Sequence, residues 1–209
     1  MQFSEFPFHK SILKAVAEER YHTPTLVQEQ AIPKVLAKKN VIVSAQTGTG
    51  KTAAFALPII QILFDKQGLK EEEGKEIKSL IVTPTRELAI QILENFKTYS
   101  KYTNLTTAAV FGGVSLEPQK DILANGVDIL IVTPKRLNKL YYLNSLHLGE
   151  LKLFAIDDAE FLIRDNINDH VHRVTESIQK CQYVICAEVM HNRYERLKTT
   201  FMHNALIIT

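Results

Sequence analysis

The chain has 209 residues, with 25 basic against 23 acidic side chains and a net charge of +2, so any basic binding surface must be local. With 45% apolar and 23% charged residues it reads as one soluble, folded domain able to bury a real core, which excludes a disordered chain. The longest apolar run, around Phe55–Phe64, is shorter than the roughly 20 residues of a spanning helix, so no membrane is expected; Cys181 and Cys186 exclude a disulfide scaffold and fit a reducing, cytoplasmic setting.

In chain order, two helices are expected first, Ser11–Glu19 and Leu26–Ala37, separated by Pro24. Short β-branched runs then alternate with helical stretches. The runs are Val41–Ala45, Leu80–Thr83, Thr107–Phe111, Ile129–Thr133, Leu153–Asp157, Tyr183–Ala187 and Leu206–Ile208. Each is almost continuously apolar, as expected of strands covered on both faces. Helices are expected over Thr52–Phe64, Arg86–Ser100, Leu116–Ala124, Lys135–Tyr142, Asp169–Lys180 and Asn192–Phe201. The charged stretch Lys66–Lys78 reads as a surface loop. Repeated strand–helix–strand order predicts an α/β fold: one mostly parallel sheet, helices on both faces, right-handed crossovers. In such sheets ligands bind beyond the carboxyl ends of the strands, so function belongs in the loops that follow the apolar runs.

The first of those loops is AQTGTGKT, covering Ala45, Gln46, Thr47, Gly48, Thr49, Gly50, Lys51 and Thr52. It has the spacing of a phosphate loop with Ala where the leading glycine usually stands. Gly48 and Gly50 permit a tight turn whose backbone N–H groups converge on phosphate oxygens at a helix N-terminus. Lys51 places a cation against the β- and γ-phosphates, and Thr52 offers a hydroxyl to Mg²⁺. A second acid is needed at the end of another strand. Asp157 follows four apolar residues in LFAIDDAE and meets that need, although an Asp there can also cap the next helix.

These residues, with several others in the same order, resemble the N-terminal RecA-like domain of the DEAD-box ATP-dependent RNA helicases, over essentially residues 1–209. Tyr21-His22-Thr23-Pro24-Thr25-Leu26-Val27-Gln28, with Phe3 upstream, is similar to the Q motif, placing that segment at about residues 1–33. The resemblance implies that Phe3 and Tyr21 flank adenine and that Gln28 reads its edge; a bidentate amide suits N6 and N7. On its own, without the other motifs, Gln28 reads as a solvated helix residue. AQTGTGKT matches motif I, and Pro84-Thr85-Arg86-Glu87-Leu88-Ala89 matches motif Ia. Gly112-Gly113 matches the GG turn, and Thr133-Pro134-Lys135-Arg136-Leu137 matches motif Ib except for Lys135 in place of glycine. The resemblance implies RNA contacts through Pro84, Thr85, Arg86, Gly112, Gly113, Thr133 and Arg136, directed to the sugar–phosphate backbone with little base preference.

The two catalytic motifs also depart from the family pattern. D-E-A-D reads Asp157-Asp158-Ala159-Glu160 here, and S-A-T aligns with Cys186-Ala187-Glu188. Asp157 keeps the Mg²⁺ position. Asp158, implied to polarise the attacking water, is one methylene shorter than Glu, and a displacement of about 1 Å at a reacting group costs roughly 10²-fold in rate. Glu160, Cys186 and Glu188 occupy the positions that couple hydrolysis to unwinding; Cys donates poorly, and Glu188 is expected to bring a repelling carboxylate near Glu160. Lys51, Asp157 and Asp158 are thus the catalytic candidates. The resemblance implies ATP and Mg²⁺ as cofactors, RNA as partner, a monomer, and a C-terminal RecA-like domain that this chain does not include. Two functions remain open: the ATP-binding domain of an RNA-dependent ATPase, or a degenerate module that holds nucleotide or RNA without useful turnover. A small-molecule kinase shares the phosphate loop and offers no account of PTRELA or TPKRL.

Overall fold

The computed structural model describes residues 1–67, 76–160, 168–178, 180–191, 194 and 202–209. Most of the expected loop at 66–78 and of the expected helix at 192–201 lies outside the described residues. The strands are β1 (Val41–Ser44), β2 (Ser79–Val82), β3 (Thr107–Val110), β4 (Ile129–Val132), β5 (Leu153–Ile156), β6 (Gln182–Ala187) and β7 (Leu206–Ile208). They form one seven-stranded sheet in the order β3-β4-β2-β5-β6-β1-β7, and every pairing is parallel. The helices are α1 (Lys10–Glu18), α2 (Leu26–Leu36), α3 (Lys51–Gln67), α4 (Arg86–Ser100), α5 (Glu117–Ala124), α6 (Pro134–Tyr142) and α7 (Asn168–Ser177). A 3₁₀ turn at Phe3–Glu5, not anticipated from the sequence, precedes them.

The strand side chains alternate between two apolar layers. Val41, Val43, Ile81, Ile131, Ala155 and Val184 face α1 to α4, where Phe55 and Phe96 pack at 6.3 Å between ring centres. Ile42, Leu80, Val82, Leu130, Phe154 and Ile185 face α5 to α7, meeting Leu123, Leu137, Leu140 and Val174. Each such Leu, Ile or Phe contributes roughly 1.5–3 kcal/mol by leaving water.

Local chemistry sets the helix starts. Thr25 caps α2, accepting from the Gln28 N–H while the Gln28 carboxamide accepts from the Thr25 N–H. Thr85 caps α4 by accepting from the Leu88 N–H at 3.2 Å. Pro134 opens α6, where its missing N–H costs nothing.

Because all strands point one way, the loops after them share one edge of the sheet. Strand order then sorts them. The adjacent β5-β6-β1 set places Asp157, Glu188 and the phosphate loop side by side. The β3-β4-β2 set groups Gly112, Thr133 and Thr85.

Candidate nucleotide cleft and its flanks

The phosphate loop folds as its glycines require. Gly48 and Gly50 take φ of +83° and +86°, a region costly for residues with a Cβ. At Gly50 there is a second constraint: a Cβ would fall 2.3 Å from the Gln28 amide nitrogen. The loop leads into α3 at Lys51, so its N–H groups lie at the positive end of a 17-residue helix. The Lys51 ammonium donates to the carbonyls of Ala45 at 2.6 Å and Ala187 at 3.4 Å, tying the ends of β1 and β6.

A cleft of about 970 Å³ opens above this loop. Its lining includes Lys51, Thr52, Asp157 and Asp158 together with Phe3, Tyr21 and Gln28, so residues far apart in sequence face one space. Phe3 is buried and stacks near Tyr21, with ring centres 6.3 Å apart and planes at 28°. The alternative of a solvated Gln28 does not hold: its side chain is 5% exposed. It donates to the Gly50 carbonyl at 3.2 Å and accepts from Thr25 at 2.9 Å. Thr25 reaches the loop too, donating its hydroxyl to the Thr49 carbonyl at 2.8 Å. Gln28 therefore has one amide N–H and one carbonyl lone pair left for a ligand.

Asp157 stands at the end of β5 and is 8% exposed. Burial pushes its carboxyl up to about 6, against the opposing pull of Lys51. Asp158 turns into the left-handed region at φ +54°, which Asp adopts more readily than most side chains. Burial, then the neighbouring Glu160 carboxyl, holds the Asp158 carboxyl above its usual range. Among the described residues no group of three or more His, Cys, Asp or Glu can hold a metal alone. The Thr52 hydroxyl and Asp157 carboxylate are hard oxygen donors in one cleft. That pair suits a Mg²⁺ that completes its shell with water and phosphate oxygens.

The contact between the fourth acid of DDAE and the CAE segment is built differently from the expectation. Cys186 is fully buried in β6, and its carbonyl accepts from the Ala159 N–H at 2.9 Å. One oxygen of Glu160 accepts from the backbone N–H groups of Glu188 and Val189. Its other oxygen is buried and has no hydrogen-bond partner among the described residues. The Glu188 carboxylate accepts from the Thr47 hydroxyl across the cleft. The extra methylene of Glu160 gives it the reach to backbone amides, so this contact needs no side-chain hydroxyl on β6.

The β3-β4-β2 half presents fewer free side chains than expected. Pro84 is half-buried, and Thr85 and Arg86 are exposed at the start of α4, with the Arg86 guanidinium 5.0 Å from the Phe111 ring centre. Gly112 and Gly113 are exposed, and Gly113 takes φ +83°. Thr133 and Arg136, by contrast, are buried. Arg136 donates to Gln119 at 2.9 Å and to the Val114 carbonyl at 2.8 Å. The Thr133 hydroxyl accepts from the Gly112 N–H at 3.4 Å. Instead of reaching outward, these two hold the glycine turn in place.

The sequence did not single out Thr23, Gln91, Asn95 and Tyr99, which also line the cleft. Gln91, Asn95 and Tyr99 are spaced by four on α4, the one available signal, and a solvated helix face shows the same spacing. Tyr99 is buried and lies 6.3 Å from Tyr21, ring centre to ring centre.

The family model for DEAD/DEAH box helicases matches residues 25–195. The chain belongs to this family. It is 32% identical to the DEAD-box ATP-dependent RNA helicase RhpA of Helicobacter pylori strain B128, over 99% of this chain and 40% of that protein. It is 34% identical to DEAD-box ATP-dependent RNA helicase 24 of Oryza sativa subsp. japonica, over 99% of this chain and 27% of that protein. The fold superposes on the crystal structure of a DEAD box protein from the hyperthermophile Methanococcus jannaschii with a TM-score of 0.90. That match is 29% identical and covers all of this chain and 55% of the other. The architecture is accordingly the RecA-like α/β fold of the family, and the chain spans well under half the length of the curated relatives above. Among the described residues no helix is long and apolar enough to cross a membrane.

Proposed function

We propose that this is the ATP-binding domain of a DEAD-box RNA helicase, in which RNA-dependent ATP hydrolysis drives local separation of RNA strands. The observation that carries this reading is the single cleft shared by Lys51, Thr52, Asp157 and Asp158 with Phe3, Tyr21 and Gln28. The N–H groups of residues 46–51 receive the phosphates. Lys51 exchanges its carbonyl partners for phosphate oxygens. Thr52 and Asp157 hold Mg²⁺, which offsets phosphate charge when bound. Asp158 orients the water whose oxygen bonds to the γ-phosphorus as the bond to the bridging oxygen breaks. Gln28, with its remaining donor and acceptor, meets the adenine edge beside Phe3 and Tyr21.

RNA runs along the exposed Thr85, Arg86, Gly112 and Gly113, with Thr133 and Arg136 bracing the glycine turn. Such contacts to the sugar–phosphate backbone carry little base preference. A C-terminal RecA-like domain in the same protein supplies the remaining cations for phosphoryl transfer, worth about 10³–10⁵ in rate in related hydrolases. We read the whole protein as a cytoplasmic monomer and the chain as one domain spanning residues 1–209.

One observation favours a second reading, a nucleotide- or RNA-holding scaffold without turnover. The shortened Asp158 shares its cleft with three further carboxylates, Asp157, Glu160 and Glu188. Phosphate release by the full-length protein separates the two. Weak RNA-stimulated turnover, abolished by Lys51→Ala, is expected; nucleotide binding with no turnover above the Lys51→Ala level establishes the scaffold.

A further inference from the structure

Three of the four cleft carboxylates already have an account. Asp157 suits an ion, Asp158 faces the reacting end, and Glu160 is tied to backbone amides. Glu188 has none, and its placement is the most specific. Its carbonyl accepts from the Ser44 hydroxyl at 3.4 Å, and its N–H is taken by Glu160. With the backbone fixed at both points, the exposed side chain spans from the end of β6 to the phosphate loop. There its carboxylate accepts from the Thr47 hydroxyl, as an anionic ligand of that loop would.

We infer that Glu188 is a specificity-determining residue that makes triphosphate entry depend on an accompanying divalent cation. This rests on the nucleotide reading above. Lys51 is the only Lys or Arg lining the cleft among the described residues, and it stands against four carboxylates. A metal-free triphosphate brings its full negative charge to this rim and meets Glu188 at the lip of the loop. A metal-bound triphosphate arrives with much of that charge neutralised, so the same carboxylate opposes it far less. The neutral flank of the loop, where Gln28 and Thr25 donate to carbonyls, cannot make this distinction.

Calorimetric titration of the chain with ATP, in Mg²⁺ and separately in EDTA, tests the assignment on Glu188→Gln and Glu188→Asp. Gln keeps the length and an acceptor for Thr47 and removes the charge; Asp keeps the charge. The Gln variant is expected to bind metal-free ATP roughly tenfold more tightly and Mg²⁺–ATP only about two- to threefold more tightly. The ratio of the two Kd values therefore narrows, whereas the Asp variant holds the wild-type ratio. Thermal unfolding verifies that each variant is folded, which exposure at this position favours. An unchanged ratio in Glu188→Gln, with ATP still bound, overturns the role of Glu188 and leaves the nucleotide reading intact. No adenine nucleotide binding by any of the three proteins, in either condition, overturns both.

Discussion

The two flanks of the phosphate loop hold it by opposite means. On one side, neutral groups donate into it: the Thr25 hydroxyl to the Thr49 carbonyl and the Gln28 amide to the Gly50 carbonyl. On the other, a carboxylate accepts from it, Glu188 from Thr47. The neutral flank fixes the turn without touching its affinity for an anion. The acidic flank occupies the same loop with negative charge, so anion binding has to work against it. The departures in motifs II and III, Asp158, Glu160, Cys186 and Glu188, all fall on the acidic flank, whereas Lys135 lies apart on α6. Strand order explains this: β5, β6 and β1 are neighbours, so a change after one strand is felt by the other two.

The largest effect expected on either flank is at Asp157. Its carboxyl titrates near 6 in the fold against 3.8 in the unfolded chain, because burial penalises the charge. The native chain therefore holds this proton more tightly, and the stability tied to this group is present at low pH and lost as pH rises from about 4 through about 6. Asp157→Asn removes that cost. It is expected to stabilise the free protein at pH 8 by up to about 3 kcal/mol, an advantage that vanishes near pH 4. The same variant loses Mg²⁺-dependent nucleotide affinity. Urea denaturation at both pH values checks the first half and titration with Mg²⁺–ATP the second; a variant less stable than wild type at pH 8 breaks the account of the acidic flank.

A smaller effect is expected across the loop. Gln28→Ala removes the bonds to Thr25 and Gly50, so the half-buried Gly50 carbonyl keeps only the Ala54 N–H and the capping box at Thr25 loses one of its two bonds. The expected loss is about 1–2 kcal/mol of stability. ATP affinity falls as well, and by the same factor with and without Mg²⁺, since no charge changes. A Gln28→Ala variant whose ATP loss appears only in Mg²⁺ contradicts the division between the flanks.

Much of the fold was legible because burial on both faces forces long apolar runs, and all seven expected strands are present. Their ends show what such runs miss. Ala45, Thr83, Phe111, Thr133 and Asp157 were each expected as the last strand residue, and each lies just beyond its strand. Thr83, Thr133 and Asp157 are still buried there although the chain has already left the ladder for a functional loop. At the other ends, Ser79 and Gln182 join their strands although polar. Ser79 is fully buried, and Gln182 donates to the carbonyls of Val35 and Lys39.

The site was legible as a set of loops and less so as directions. Motif spacing gathered Lys51, Asp157 and Gln28 around one edge, and the sheet does bring them to one cleft. It did not reveal that Arg136 turns inward to Gln119 and Val114, or that the Glu188 carboxylate reaches Thr47. Sequence period reports which face a residue occupies. The partner it finds there depends on side-chain reach across strands that are distant in the chain, as the added methylene of Glu160 shows.

In the function proposed above, a triphosphate and its divalent ion are held between Lys51 and Asp157. Calorimetric titration of ATP with Mg²⁺ into the wild-type chain and into Lys51→Ala tests it most directly. Saturable binding by the wild type that is lost, or weakened at least a hundredfold, in Lys51→Ala is the predicted result. No heat of binding from well-folded wild-type chain, or equal affinity in the two proteins, would contradict it.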